Sequence, residues 1–262
     1  MIVAGCDIGS LTAKAVIMRD GVILSSHLMR VKRDPEESAR EVMMAAAEKA
    51  DVALGNIGCI VGTGYGRKRI PFAQRTESEI ACHARGAVWR NPSVRTVVDI
   101  GGQDAKAIKV DAAGNVVRYV YNDKCASGTG RFLEIIAEAL ELKLEDLGSI
   151  SGQSKNRLTL SNQCVVFAET EIISLVNEGR EIPDIVRALH SAVANRAASL
   201  AKGIVVEREV AMSGGVAQNS GMFASLSEAL GVPLVAIENP QLTGAIGAAL
   251  FAGEAAGAER IA

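Results

Sequence analysis

The chain has 262 residues, 48% of them hydrophobic and 22% charged, with a formal net charge of −2. That is enough chain for one large domain or two small ones with a sizeable core, and it excludes disorder. The near-neutral balance and the nine aromatics (five Phe, three Tyr, one Trp) exclude a nucleic-acid binder that works by charge or base stacking.

Residues 3–25, VAGCDIGSLTAKAVIMRDGVILS, read as strand, Gly turn, strand, Asp-Gly turn, strand. Asp7 and Lys14 interrupt the apolar start, so neither an export segment nor a membrane span fits, and a cytoplasmic location is expected. Asp34-Pro35-Glu36-Glu37 is an N-cap with Pro at N1, opening an amphipathic helix to Lys49. A short strand, Cys59-Ile60-Val61, ends in the glycine-rich loop Gly62–Arg67, and Cys82 and His83 fall on an apolar-faced helix. Residues 96–121, TVVDIGGQDAKAIKVDAAGNVVRYVY, repeat the opening meander. Helices follow near Gly130–Leu142, Val165–Asn177 and Ile182–Val206. A strand over Glu209–Met212 runs into Ser213-Gly214-Gly215-Val216-Ala217-Gln218-Asn219. The chain closes with a strand over Pro233–Ala236 and a small-residue helix around Thr243–Ala256, expected to pack on another helix as a hinge.

Asp7-Ile8-Gly9 falls on Asp99-Ile100-Gly101, and in each copy a lysine follows the Asp by seven residues, at Lys14 and Lys106. Equal offsets for Asp, Gly and Lys point to duplication. The expected fold is α/β, with two βββαβα halves over 1–95 and 96–262 around a nucleotide cleft, the second half enlarged by helical insertion.

Glycine at the first two Asp-Gly turns lets the backbone turn tightly and offer N–H groups to an anion. Asp7 and Asp99 suit hydrated Mg²⁺ rather than phosphate, because like charges repel. Lys14 can reach a phosphate oxygen as a point charge. In Ser213-Gly214-Gly215 the paired glycines allow a nucleoside to lie against the backbone. Each segment alone reads more readily as an ordinary hairpin turn; together, across matching halves, they point to phosphate binding. The glycines lie inside hairpins, unlike a Rossmann fingerprint or a P-loop. This combination resembles the actin, hexokinase and heat-shock chaperone superfamily of duplicated ATPases.

Cys125, in D-K-C-A-S-G-T-G-R-F, and Cys164, in S-N-Q-C-V-V-F-A-E, each sit just ahead of a helix, which favours a thiolate. By themselves two separated cysteines fit plain burial or half of a cluster's ligands, and two chains related by a twofold axis would supply four thiolates. The strings D-K-C-A-S-G-T-G-R-F, V-F-A-E-T-E-I-I-S, D-I-G-G-Q-D and T-G-Y-G-R are similar to the activator ATPases of 2-hydroxyacyl-CoA dehydratases, in a wider family with the ATPase subunits of benzoyl-CoA reductase. The resemblance implies a homodimer sharing one [4Fe–4S] cluster, with Cys125 and Cys164 at the ligand positions. It implies a ferredoxin or flavodoxin as electron donor and a dehydratase as acceptor, with ATP hydrolysis driving the transfer. Ser127 departs from the alanine expected there; its hydroxyl can tune a cluster's potential without abolishing ligation.

On these resemblances the Mg·ATP phosphates belong to Gly9, Ser10, Leu11, Thr12, Ala13 and Lys14 and to Gly101 and Gly102. Asp7 and Asp99 hold Mg²⁺ through water, Gln103 or Asp104 orients the attacking water, and Gly214, Gly215 and Gln218 meet the nucleoside with Gln241 nearby. The Gly62–Arg67 loop borders the cleft or the dimer contact, or is simply exposed. Rival readings are a component of a benzoyl-CoA reductase complex, a small-molecule kinase of the same fold and a non-hydrolysing nucleotide-binding regulator.

Overall fold

The opening strand is apolar at nearly every position. In the computed structural model, which describes residues 1–161 and 164–258, it is buried on both faces. In chain order the strands are β1 (Ile2–Ile8), β2 (Thr12–Arg19), β3 (Val22–Arg30), β4 (Cys59–Thr63), β5 (Arg75–Thr76), β6 (Thr96–Ile100), β7 (Ala105–Val110), β8 (Val116–Asn122), β9 (Val210–Ser213) and β10 (Leu234–Val235). The helices are α1 (Pro35–Lys49), α2 (Glu79–Arg90), α3 (Gly130–Ala139), α4 (Leu147–Ser151), α5 (Val165–Asn177), α6 (Ile182–Lys202), α7 (Ser220–Leu230) and α8 (Thr243–Ala258).

The chain divides into two units: Met1–Arg95 with Val110–Val117 and Ile237–Ala262, and Thr96–Lys109 with Arg118–Ala236. A single division at residue 95 places the closing helix in the second half, whereas α8 packs in the first unit on β1 and α2. The reason is close approach. A Cβ on Gly5 would lie 2.0 Å from the Ala245 carbonyl oxygen, and one on Gly247 would lie 1.9 Å from that of Cys82. Only glycine at these two contacts lets the small face of α8 reach its neighbours.

The first sheet has the order β3-β2-β1-β4-β5. β1 is antiparallel to β2 and parallel to β4. Alternation along β1 sends Ala4, Cys6 and Ile8 into the core under α1, and Val3 into the core under α8. α1 starts as its sequence predicts: the Asp34 side chain accepts from the Glu36 N–H at 3.0 Å with Pro35 in the first turn. Its stripe Ala39, Val42, Met43, Ala46 and Ala47 is buried.

The second sheet, β10-β9-β6-β7-β8, repeats the order of the first. β6 is antiparallel to β7 and parallel to β9, as β1 is to β2 and β4. This is the expected duplicated α/β architecture. One core spans this unit, built on Phe132, Leu133, Ile136, Leu147, Ile172 and Ile185 with the buried stripe of α6. The helices expected after the second meander are present, with α6 stopping at Lys202, short of Val206; the Gly203 N–H then bonds the Leu200 carbonyl at 3.1 Å. The short helix α4 and the two-residue strand β5 have no counterpart in the sequence pattern. No helix among the described residues is long and apolar enough to cross a membrane.

Candidate functional site

The first Asp-Gly hairpin is a β1–β2 turn closed by the Gly9 N–H on the Thr12 carbonyl at 3.0 Å. Asp7 and Lys14 are register partners, both buried, and Lys14 Nζ donates to Asp7 Oδ2 at 3.1 Å. The same ammonium donates to the Thr12 carbonyl at 3.3 Å, so its charge is held at the turn rather than swinging in solvent. Ser10, Leu11 and Thr12 are half-buried, and Ala13 lies in the core.

The second hairpin copies this geometry and adds to it. The Gly101 N–H donates to the Asp104 carbonyl at 2.9 Å. Lys106 Nζ donates to Asp99 Oδ2 at 3.2 Å and also to Asp104 Oδ2. The Ser213 hydroxyl donates to the other Asp99 oxygen at 2.8 Å, across the β6–β9 register pair Asp99–Ser213. Gly214 follows with φ of 87°, and a Cβ there would lie 2.4 Å from the Ile100 carbonyl oxygen. Asp99, Gly101, Asp104, Ser213 and Gly214 therefore meet at one place. Of the two residues assigned to the attacking water, Gln103 is exposed, whereas the Asp104 carboxylate already holds Lys106. Gly215 and Gln218 bound a short 3-10 turn with Gln218 exposed. Gln241, on the turn Pro240–Leu242, belongs to the first unit.

Cys125 caps the turn Ala126–Gly128, after which α3 begins at Gly130. The Gly130 N–H donates to the Gly101 carbonyl at 2.9 Å, and the Arg131 N–H to the Gly102 carbonyl at 2.8 Å. The cysteine segment is thus bonded directly to the second Asp-Gly turn. Cys164 caps α5 and is exposed; Asn162 and Gln163 of its segment lie outside the described residues. α3 packs against both the Cys125 turn and α5. A hydrogen bond from the Ser127 hydroxyl, the Ser127 N–H and the Arg196 guanidinium hold the Cys125 thiol below its usual range. The other cysteines differ in kind. Cys6, Cys59 and Cys82 are buried, and burial pushes the Cys6 thiol far up and that of Cys82 up to about 12.

A model of the family described as the BadF/BadG/BcrA/BcrD ATPase family matches residues 4–252. The chain belongs to the BadF/BadG/BcrA/BcrD ATPase family. Within this ATPase family it is 43% identical over 253 residues to the 2-hydroxyisocaproyl-CoA dehydratase activator of Clostridioides difficile, covering 96% of this chain and 95% of the relative. It is 35% identical to a benzoyl-CoA reductase component of Thauera aromatica, over 95% of this chain and 92% of that one. The solved activator of the 2-hydroxyisocaproyl-CoA dehydratase from Clostridium difficile, with bound ADPNP, superposes with a TM-score of 0.95 at 42% identity, covering 99% of this chain and 97% of that one. The actin-like ATPase fold expected from the two hairpins is the fold of the family.

Two groups at the site were beyond sequence reasoning. Arg196 reaches the Cys125 turn from α6, and nothing in its local pattern marks it. His190, readable only as a surface or core histidine, is fully buried with Nε2 3.1 Å from Asn219 Nδ2. Asn219 Oδ1 accepts from the Gly221 and Met222 N–H groups as the cap of α7, which fixes its amide as donor to His190. His190 thereby anchors the end of the segment that opens at Gly214.

Proposed function

We propose that this chain is an ATP-hydrolysing iron-sulfur protein that injects a low-potential electron into a 2-hydroxyacyl-CoA dehydratase. The observation that carries this reading is the pair of hydrogen bonds from Gly130 and Arg131 to the carbonyls of Gly101 and Gly102. They give the phosphate turn and the cysteine segment a common backbone, which an ATPase that gates electron transfer needs and a kinase does not.

In this reading the N–H groups of the two turns receive the phosphates, and the ammonium groups of Lys14 and Lys106, held at the turns, offset the charge. Asp7 and Asp99 orient water on the Mg²⁺ that arrives with the nucleotide. Asp104 accepts a proton from the attacking water or orients it, with Gln103 as the alternative. Gly214, Gly215 and Gln218 hold the nucleoside, and Gln241 is a further candidate. Loss of the terminal phosphate shifts the Gly101-Gly102 turn, and the bonded start of α3 follows.

The donor set fits half of a [4Fe–4S] cluster. Cys125 and Cys164 supply two of the four ligands such a cluster takes. Cys125 and Cys164 are the less buried cysteines, each at the start of a turn or helix, and two copies supply four thiolates. When bound, the cluster supplies a one-electron carrier. Val166 and Phe167, 68% and 63% exposed beside Cys164, give the second copy an apolar surface to cover. A ferredoxin or flavodoxin is the electron donor.

The test is iron and acid-labile sulfide per chain after anaerobic purification, with and without Cys125→Ala. About two irons per chain, lost in the variant, is the expected result; ATP hydrolysis without iron in the wild type overturns the reading. The second reading, one component of a benzoyl-CoA reductase complex, rests on the 35% identity to the Thauera aromatica protein and predicts co-purification with a non-identical sister chain.

A further inference from the structure

The Cys125 turn is clamped onto α6 from one side and organised by its own residues from the other. A Cβ on Gly128 would lie 2.8 Å from Arg196 Cγ, so the aliphatic stem of Arg196 lies directly on the turn. Its guanidinium is one of the groups that favour the Cys125 thiolate. Asn122, Gly128 and Arg196 also border a cavity of about 370 Å³. Asn122 Nδ2 donates to the Cys125 carbonyl at 2.8 Å and fixes the backbone there. Ser127, buried, places its hydroxyl 3.1 Å from the sulfur. A ligating sulfur carries no proton, so in that state the Ser127 hydroxyl must be the donor. Cys164 differs: it is exposed, and among the described residues its side chain makes no cap hydrogen bond.

Reduction adds negative charge that is shared with the ligand sulfurs. A donor or a cation at a sulfur stabilises the reduced form more than the oxidised one and so raises the potential. We propose that Ser127 and Arg196 are positioning residues that hold the Cys125 sulfur and raise the reduction potential of the cluster ligated there. This rests on the iron-sulfur reading given under Proposed function. The two cysteines are then unequal ligands: Cys125 is fixed and charge-stabilised, and Cys164 is the open one.

The experiment compares wild type with Ser127→Ala, Ser127→Thr, Arg196→Gln and Arg196→Lys, all purified anaerobically. Iron and sulfide are counted first, and the midpoint potential is then measured by mediated titration followed by absorbance and electron paramagnetic resonance. The expected result is unchanged iron, a more negative potential in Ser127→Ala and Arg196→Gln, and a return towards wild type in Ser127→Thr and Arg196→Lys. Should Arg196→Gln not retain iron, Ser127→Ala carries the same readout. Iron-replete Ser127→Ala and Arg196→Gln with the wild-type potential overturn the inference and leave the electron-carrier reading standing. A wild type without iron overturns both.

Discussion

Lys14 and Asp7 face each other across the first hairpin as register partners, Nζ to Oδ2 at 3.1 Å, and both are almost wholly buried. Lys106 and Asp99 repeat the relation at 3.2 Å. Removing one member of such a pair leaves a buried charge without its partner. Lys14→Met is therefore expected to cost about 3–5 kcal/mol of stability, and Asp7→Asn a similar amount. The double variant costs less than their sum by about 1 kcal/mol or more. Denaturant unfolding measures this, and strictly additive losses would show that the pair is not coupled. ATP turnover by Lys14→Met falls about 100-fold if the ammonium offsets developing phosphate charge.

Gly214 combines φ of 87° with a carbonyl oxygen where a side chain would begin. Gly214→Ala strains the backbone and pushes the segment off the second hairpin, costing about 2 kcal/mol or more. ADPNP affinity measured by calorimetry falls at least about tenfold, since about 1.4 kcal/mol is one decade. Unchanged affinity in a folded variant would remove this segment from the nucleotide site.

Desolvation draws His190 down from 6.5 to about 4, so the native state keeps it neutral. The unfolded chain protonates it near 6.5. Its contribution is complete above that pH and is lost as pH falls from 6.5 towards about 4, an interval worth about 3 kcal/mol. His190→Gln keeps an acceptor for Asn219 and removes the titration. Between pH 7 and pH 4.5 its unfolding free energy should fall by about 2 kcal/mol less than that of wild type. An equal fall in both proteins would show that His190 is not the group responsible.

The five cysteines divide by exposure, with Cys6, Cys59 and Cys82 buried and Cys125 and Cys164 accessible. Iodoacetamide on the native, iron-free protein should label Cys125 and Cys164 within minutes and spare the others until unfolding. Peptide mass mapping reads the sites. Cys125 should react fastest at neutral pH, because Ser127 and Arg196 favour its thiolate.

Much of the fold is local enough to be read in advance. Asp34-Pro35 announces the start of α1, and the equal spacing of Asp7–Lys14 and Asp99–Lys106 announces the duplication that the matching strand orders bear out. Helix ends were less legible. The end of α3 at Ala139 is set by a turn at Glu141 with φ of 55°, which a pattern of apolar spacing does not encode. Gly5, Gly86 and Gly247 carry no signal of their own. Their meaning is the proximity of α8 to β1 and α2, where carbonyls stand 1.9 to 2.1 Å from the positions of the missing Cβ atoms.

The sequence alone determined which residues could carry the chemistry: two Asp-Gly-Lys hairpins, a paired-glycine segment and two cysteines ahead of helices. These signals survive in one dimension because turns, caps and alternation are set by neighbours a few residues away. Only the tertiary structure decided how those parts are joined. Gly130 and Arg131 bond the Gly101-Gly102 turn, Ser213 reaches Asp99, and α6 brings His190 to Asn219 and Arg196 to the Cys125 turn. Each of these contacts joins residues far apart or unmarked in the chain, and it exists because packing the second core fixes where α3, α6 and β9 lie.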